Sequence, residues 1–93
     1  MDRVLNTLGL AYRAKKVVLG EEVLNQIDKV KLLIIANDIS DKSRERFLKK
    51  CSYYKIDYID CFRSEDISNA LGKETIKVVG IIDEGFRKSI LKK

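Results

Sequence analysis

The chain reads as an α/β protein, a three-layer α/β/α sandwich whose mixed central sheet is covered by helices on both faces. Three observations lead there. Segments of helical periodicity alternate with short extended segments. One of the extended segments, Leu32-Leu33-Ile34-Ile35-Ala36, is a continuous apolar run, as expected of a strand buried on both sides. No linker, repeat or low-complexity tract interrupts the 93 residues, and there is no proline, so residues 1–93 are expected to form one domain.

The elements follow in order. Residues 2–14 suit a helix, with Leu5, Leu8 and Tyr12 at spacings of three and four, flanked by Val4 and Ala11. Lys15-Lys16-Val17-Val18-Leu19-Gly20 is a short extended piece closed by glycine. Residues 21–28 suit a second helix with Gly20 as its cap, Glu21 and Glu22 in the first turn, and Val23, Leu24 and Ile27 as its stripe. The first expected strand, Leu32 to Ala36, ends at Asn37-Asp38. A third helix starts near Ser40 or Asp41 and runs to Tyr54, burying Phe47, Leu48, Cys51 and Tyr54 and turning a basic face outward. Ile56 to Phe62 is a second strand. Ser64 is a good N-cap for a fourth helix that buries Ile67, Ala70 and Leu71 and ends at Gly72. Ile76 to Ile82 is a third strand, in which Gly80 marks a tight packing contact. Asp83 caps a last helix, whose terminal Lys92 and Lys93 complement its dipole.

Composition narrows function. There are 19 Lys and Arg against 14 Asp and Glu, a net charge of +5 that modestly favours a polyanionic partner. Histidine is absent, which removes the commonest general acid/base and the Ser–His and Cys–His nucleophile pairs. No cluster has zinc-ligand spacing, and isolated glycines make no phosphate loop. An enzyme is therefore not expected, and no cofactor or metal. Cys51 and Cys61 read as reduced thiols packed in the core of a cytoplasmic protein. No signal-like segment opens the chain, and no apolar run approaches the ~18–20 residues of a membrane span.

Two segments invite a partner. Arg13, Lys15 and Lys16 precede a glycine and a helix start, where free N–H groups suit phosphate and cations add salt-sensitive attraction. Glu21 and Glu22 would repel phosphate but could accept from a base amino group; ordinary helix-start acids are the other reading. In the turn Cys61-Phe62-Arg63-Ser64, Phe62 could pack on an unstacked base and Arg63 could reach a phosphate; equally, Phe62 could be core. Tyr53, Tyr54 and Tyr58 read as partly buried packing residues rather than stacking platforms.

Several blocks in order resemble the L7Ae/L30e family of ribosomal proteins, most of all its small bacterial members. They are Leu8-Gly9-Leu10-Ala11-Tyr12-Arg13-Ala14-Lys15-Lys16-Val17-Val18-Leu19-Gly20-Glu21-Glu22, Leu33-Ile34-Ile35-Ala36-Asn37-Asp38, Lys50-Cys51-Ser52-Tyr53-Tyr54-Lys55-Ile56-Asp57-Tyr58, Asp66-Ile67-Ser68-Asn69-Ala70-Leu71-Gly72-Lys73-Glu74 and Val78-Val79-Gly80-Ile81-Ile82-Asp83-Glu84-Gly85-Phe86. The resemblance implies the α/β/α sandwich and a structured RNA partner, a ribosomal or regulatory kink-turn bound by a monomer. It places RNA-reading residues at Gly20, Glu22, Val23 and Gln26, a loop contribution at Cys61, Phe62 and Arg63, and Lys15 and Lys16 beside the RNA backbone. Family members that bind RNA commonly have asparagine or lysine where Glu22 stands, glutamate or glutamine at Val23 and lysine at Gln26. The alternative implied by these departures is a protein-interaction or ribosome-associated module that has lost kink-turn recognition.

Overall fold

A computed structural model describes residues 2–92; Lys93, expected to complement the last helix, lies outside them. The described elements are α1 (Arg3–Arg13), β1 (Val17–Leu19), α2 (Glu22–Asn25), a 3-10 turn (Ile27–Lys29), β2 (Leu32–Ile35), α3 (Asp41–Tyr54), β3 (Asp57–Ile59), α4 (Ser64–Leu71), β4 (Val78–Ile81) and α5 (Glu84–Leu91). The strands form one mixed sheet in the order β1-β4-β2-β3. β4 runs antiparallel to both β1 and β2, while β2 and β3 are parallel.

Strand alternation sorts the core into two layers. Leu32, Ile34, Val79 and Ile81 point to one face and pack with Leu8, Ala11, Ile67, Leu71 and Ile90 of α1, α4 and α5. Leu33, Ile35 and Val78 point to the other, against Val23, Ile27, Phe47 and Cys51. The expected three-layer sandwich is what the chain adopts. β2 and β4 are buried along their whole length, which explains why their side chains are apolar on both faces.

The structure corrects several local readings. The extended piece before Gly20 is a true strand, making four strands rather than three. The second helix is a single turn that tightens into the 3-10 turn, since Lys29 and Val30 donate to the Gln26 and Ile27 carbonyls three residues back. Ser64 is not the N-cap of α4. Arg63 holds that position, and its N–H donates to Asp66 Oδ2 at 3.3 Å. Tyr54 is exposed rather than part of the α3 stripe, and so are Tyr53 and Tyr58. Cys51 is buried, and burial pushes its thiol up to about 11, but Cys61 lies exposed. The Ser40, Gly72 and Asp83 boundaries stand as read.

Gly80, in the middle of β4, does mark a tight contact. A Cβ there would meet Cγ2 of Val30 at 3.0 Å, of Val18 at 3.1 Å and of Val23 at 3.4 Å. Three β-branched side chains with stiff χ1 converge on the missing side chain. Gly80→Ala should therefore cost about 1–3 kcal/mol in urea unfolding through overpacking. An unchanged midpoint would mean that the valines yield freely.

Candidate nucleic-acid interface

Sheet register decides which loops meet. Leu19 pairs with Val79, Ile35 with Val78 and Ile34 with Ile59. The C-terminal ends of β1, β2 and β3 and the N-terminal end of β4 therefore lie at one end of the sheet. Residues 20–22, 37–40, 60–63 and 75–77 emerge there together. Gly20, in left-handed conformation at φ +56°, turns the chain from β1 into α2, and its N–H donates to the Val78 carbonyl at 2.9 Å. The Val23 and Leu24 amides donate to the Gly20 and Glu21 carbonyls, so among the described residues the Glu21 and Glu22 amides have no backbone partner. A shallow cleft beside them is lined by Gly20, Glu21, Ser40, Ser43, Thr75 and Lys77.

The acids of this end are engaged internally. Glu21 accepts from Arg46 at 2.6 Å. Glu22 accepts from Gln26 at 2.9 Å and Asn25 at 3.2 Å, and these amide donors hold its carboxyl below the usual range. Asp38 takes both the N–H and the hydroxyl of Ser64 at 2.8 Å, while the Asn37 N–H donates to the Phe62 carbonyl. These bonds tie the loop before α3 to the loop before α4. By contrast, Arg63 and Lys77 are exposed and make no ion pair among the described residues.

The sites expected from sequence are thus partly assembled. Gly20, Glu21, Glu22, Cys61 and Arg63 share the loop end, and Gln26 reaches back to it through Glu22. Phe62 shares the loop, but the residue is only 9% exposed and packs in the core, so the packing reading holds and the stacking one does not. Val23 is fully buried against Val18 and Gly80 and presents nothing to a base. Lys15 and Lys16 lie at the opposite end of β1, where the Lys16 carbonyl accepts from Ile82, about 13 Å along the strand from Gly20. Arg13 lines a groove between α1 and α4 with Asp66 and Asn69. Lys77 is the cation that sequence reading missed. Its only signal is a charge ahead of a buried strand, and it gains meaning once β4 is known to run antiparallel to β1.

A mixed-sheet α/β/α sandwich with a cation-bearing cluster of loops at one sheet end is a class of domain suited to polyanion binding. The chain belongs to the Ribosomal protein L7Ae/L30e/S12e/Gadd45 family, whose model matches residues 2–91. It is 36% identical over 90 residues to the RNA-binding protein YlxQ of Enterococcus faecium, covering 94% of this chain and 86% of the relative. It is likewise 36% identical over 87 residues to RNA-binding protein YlxQ of Bacillus subtilis (strain 168), covering 90% and 87%. A solved protein of unknown function from Bacillus halodurans superposes with TM-score 0.89 at 32% identity, over 96% of this chain and 94% of the other. The Giardia lamblia 15.5 kD RNA-binding protein shares the fold, with TM-score 0.80 at 19% identity over 95% and 78%.

Two outcomes test this geometry. Val23→Glu should lower stability by about 3 kcal/mol or more in chemical unfolding, because a carboxylate would be buried among valines. A mild loss would show that position 23 can turn outward. The Asp38 carboxyl is held below its ordinary 3.8, first by the Ser64 N–H and then by its hydroxyl. A lowered folded value stabilises above the unfolded value and is lost as pH falls through the folded one. Wild type should therefore exceed Asp38→Ala in urea midpoint at pH 7, with the gap closing as pH falls below the ordinary 3.8. A gap independent of pH would mean that the charge is not its source.

Proposed function

We propose that this chain is a non-catalytic RNA-binding protein, a single cytoplasmic domain of residues 1–93 acting as a monomer on structured RNA of the kink-turn or bulged type, ribosomal or regulatory. The observation that carries it is the relationship, over most of the length of each, to two RNA-binding proteins, together with this chain's membership of the family. The geometry supports the loop end of the sheet as the place of contact. Arg63 and Lys77 take phosphates, and the cleft beside residues 20–22 admits a base edge to the Glu21 and Glu22 amides and to the Glu22 carboxylate. Cys61 contributes apolar contact beside Arg63. Arg13, Lys15 and Lys16 serve RNA that extends past the loop end, since they stand apart from it. Among the described residues no helix is long and apolar enough to cross a membrane.

A second reading has its own support. Val23 is core, and the Glu22–Gln26 hydrogen bond closes both polar groups on each other. That arrangement suits a protein-interaction or ribosome-associated module that has given up kink-turn recognition. A gel-shift titration at physiological salt separates the two, using a kink-turn RNA and the same RNA with its G·A pairs replaced by Watson–Crick pairs. The first reading expects at least about tenfold preference for the kink-turn, the discrimination of one or two good base contacts. Equal weak binding to both would sink it in favour of the second.

A further inference from the structure

The outward face of α3 carries a feature that the loop end does not explain. Lys42, Arg46, Lys49 and Tyr53 recur at intervals of four, three and four, so they form a single ridge along one side of the helix. Lys50 stands beside it. The 14 residues of α3 make the helix about 21 Å long. Phe47 and Cys51 are buried on the opposite face.

Two observations show what this ridge offers a partner. Lys42, Lys49 and Lys50, like the other described lysines, make no ion pair, so three uncompensated cations stand on one helix although Glu45 shares it. The ridge also ends in Tyr53, which is 79% exposed, the most exposed large apolar side chain of the described chain. Its ring meets Tyr54 edge-on at 5.0 Å and 75°, so a neighbour helps fix its orientation. Unpaired cations leading to an exposed, oriented aromatic match phosphates followed by an unstacked base. The ridge is also continuous with the loop end, because the Arg46–Glu21 bridge joins its middle to the turn after Gly20.

We propose that this ridge is a second RNA contact. Lys42, Lys49 and Lys50 hold the phosphate backbone of a strand leaving the loop end, and Tyr53 stacks on an unpaired base about 20 Å away. The proposal rests on the RNA-binding reading above.

The test is fluorescence-anisotropy titration of a bulged hairpin RNA with a short single-stranded extension, between about 50 and 200 mM salt. Wild type is compared with Lys42→Glu/Lys49→Glu, Tyr53→Ala and Tyr53→Phe, after thermal melts confirm that these surface changes leave the fold intact. The double charge reversal should weaken binding by about tenfold or more and flatten the salt slope by about 1.5, two contacts at ~0.7–0.9 each. Tyr53→Ala should weaken binding about fivefold or more at unchanged slope, while Tyr53→Phe binds like wild type. If wild type binds and both Lys42→Glu/Lys49→Glu and Tyr53→Ala match it, the ridge is not a contact and the loop-end reading stands alone. If wild type binds neither this RNA nor a kink-turn, both readings fall together.

Discussion

Much of this architecture depends on a side chain that is missing. β4 is hydrogen-bonded on both sides, to β1 and to β2, and at its middle Gly80 leaves room for Val18, Val23 and Val30 to close over the sheet. Val18 belongs to the edge strand, Val23 to the single-turn α2, and Val30 to the entry of β2. Their convergence seats a helix too short to be stable by itself. With Val23 pinned, the turn at Gly20 has little freedom, and Glu21 is set where Arg46 of α3 can reach it. Packing at the sheet centre thus fixes the position of polar groups at its end.

The loop end combines tight internal bonding with free positive charge. Glu21, Glu22 and Asp38 are each satisfied by neighbours, while Arg63 and Lys77 are unpaired among the described residues. Side-chain bonds from Asp38 and the Asn37–Phe62 backbone bond hold two loops as one unit. Loops restrained in this way lose less entropy when a partner orders them. The cations keep flexible stems, as suits contact with a backbone of repeating charge.

The sequence reveals the layers better than the site. The run from Leu32 to Ala36 and the stripe of α3 are local patterns; the run is buried as expected, and the stripe is buried at Phe47 and Cys51 but not at Tyr54. α2 is shorter than its pattern because the stripe residues Val23 and Ile27 are buried by a helical turn and a 3-10 turn in succession, an arrangement that hydrophobic spacing does not distinguish from one continuous helix. Val17 to Leu19 pairs only with Val79 to Ile81, at least sixty positions away, so nothing nearby marks it as a strand. The same long-range pairing separates Lys15 and Lys16 from Gly20 and brings Lys77 close, though in sequence the reverse holds. Phe62 and Tyr53 have opposite fates, core and solvent, which follow from the direction of a loop and the facing of a helix rather than from residue type.

The place of β4 in the sheet has a consequence for synthesis. It is the penultimate element of the described chain, yet every other strand depends on it directly or through β2. Until Val78 to Ile81 emerges from the ribosome, β1 has no partner at all, and β2 can form only its parallel ladder with the three-residue β3. A chain elongating from its N-terminus must therefore hold its most apolar segment, Leu32 to Ile35, half-covered until residues 78–81 exist. Truncation anywhere before residue 78 leaves a sheet without the strand that joins β1 to β2, rather than a smaller version of the same domain.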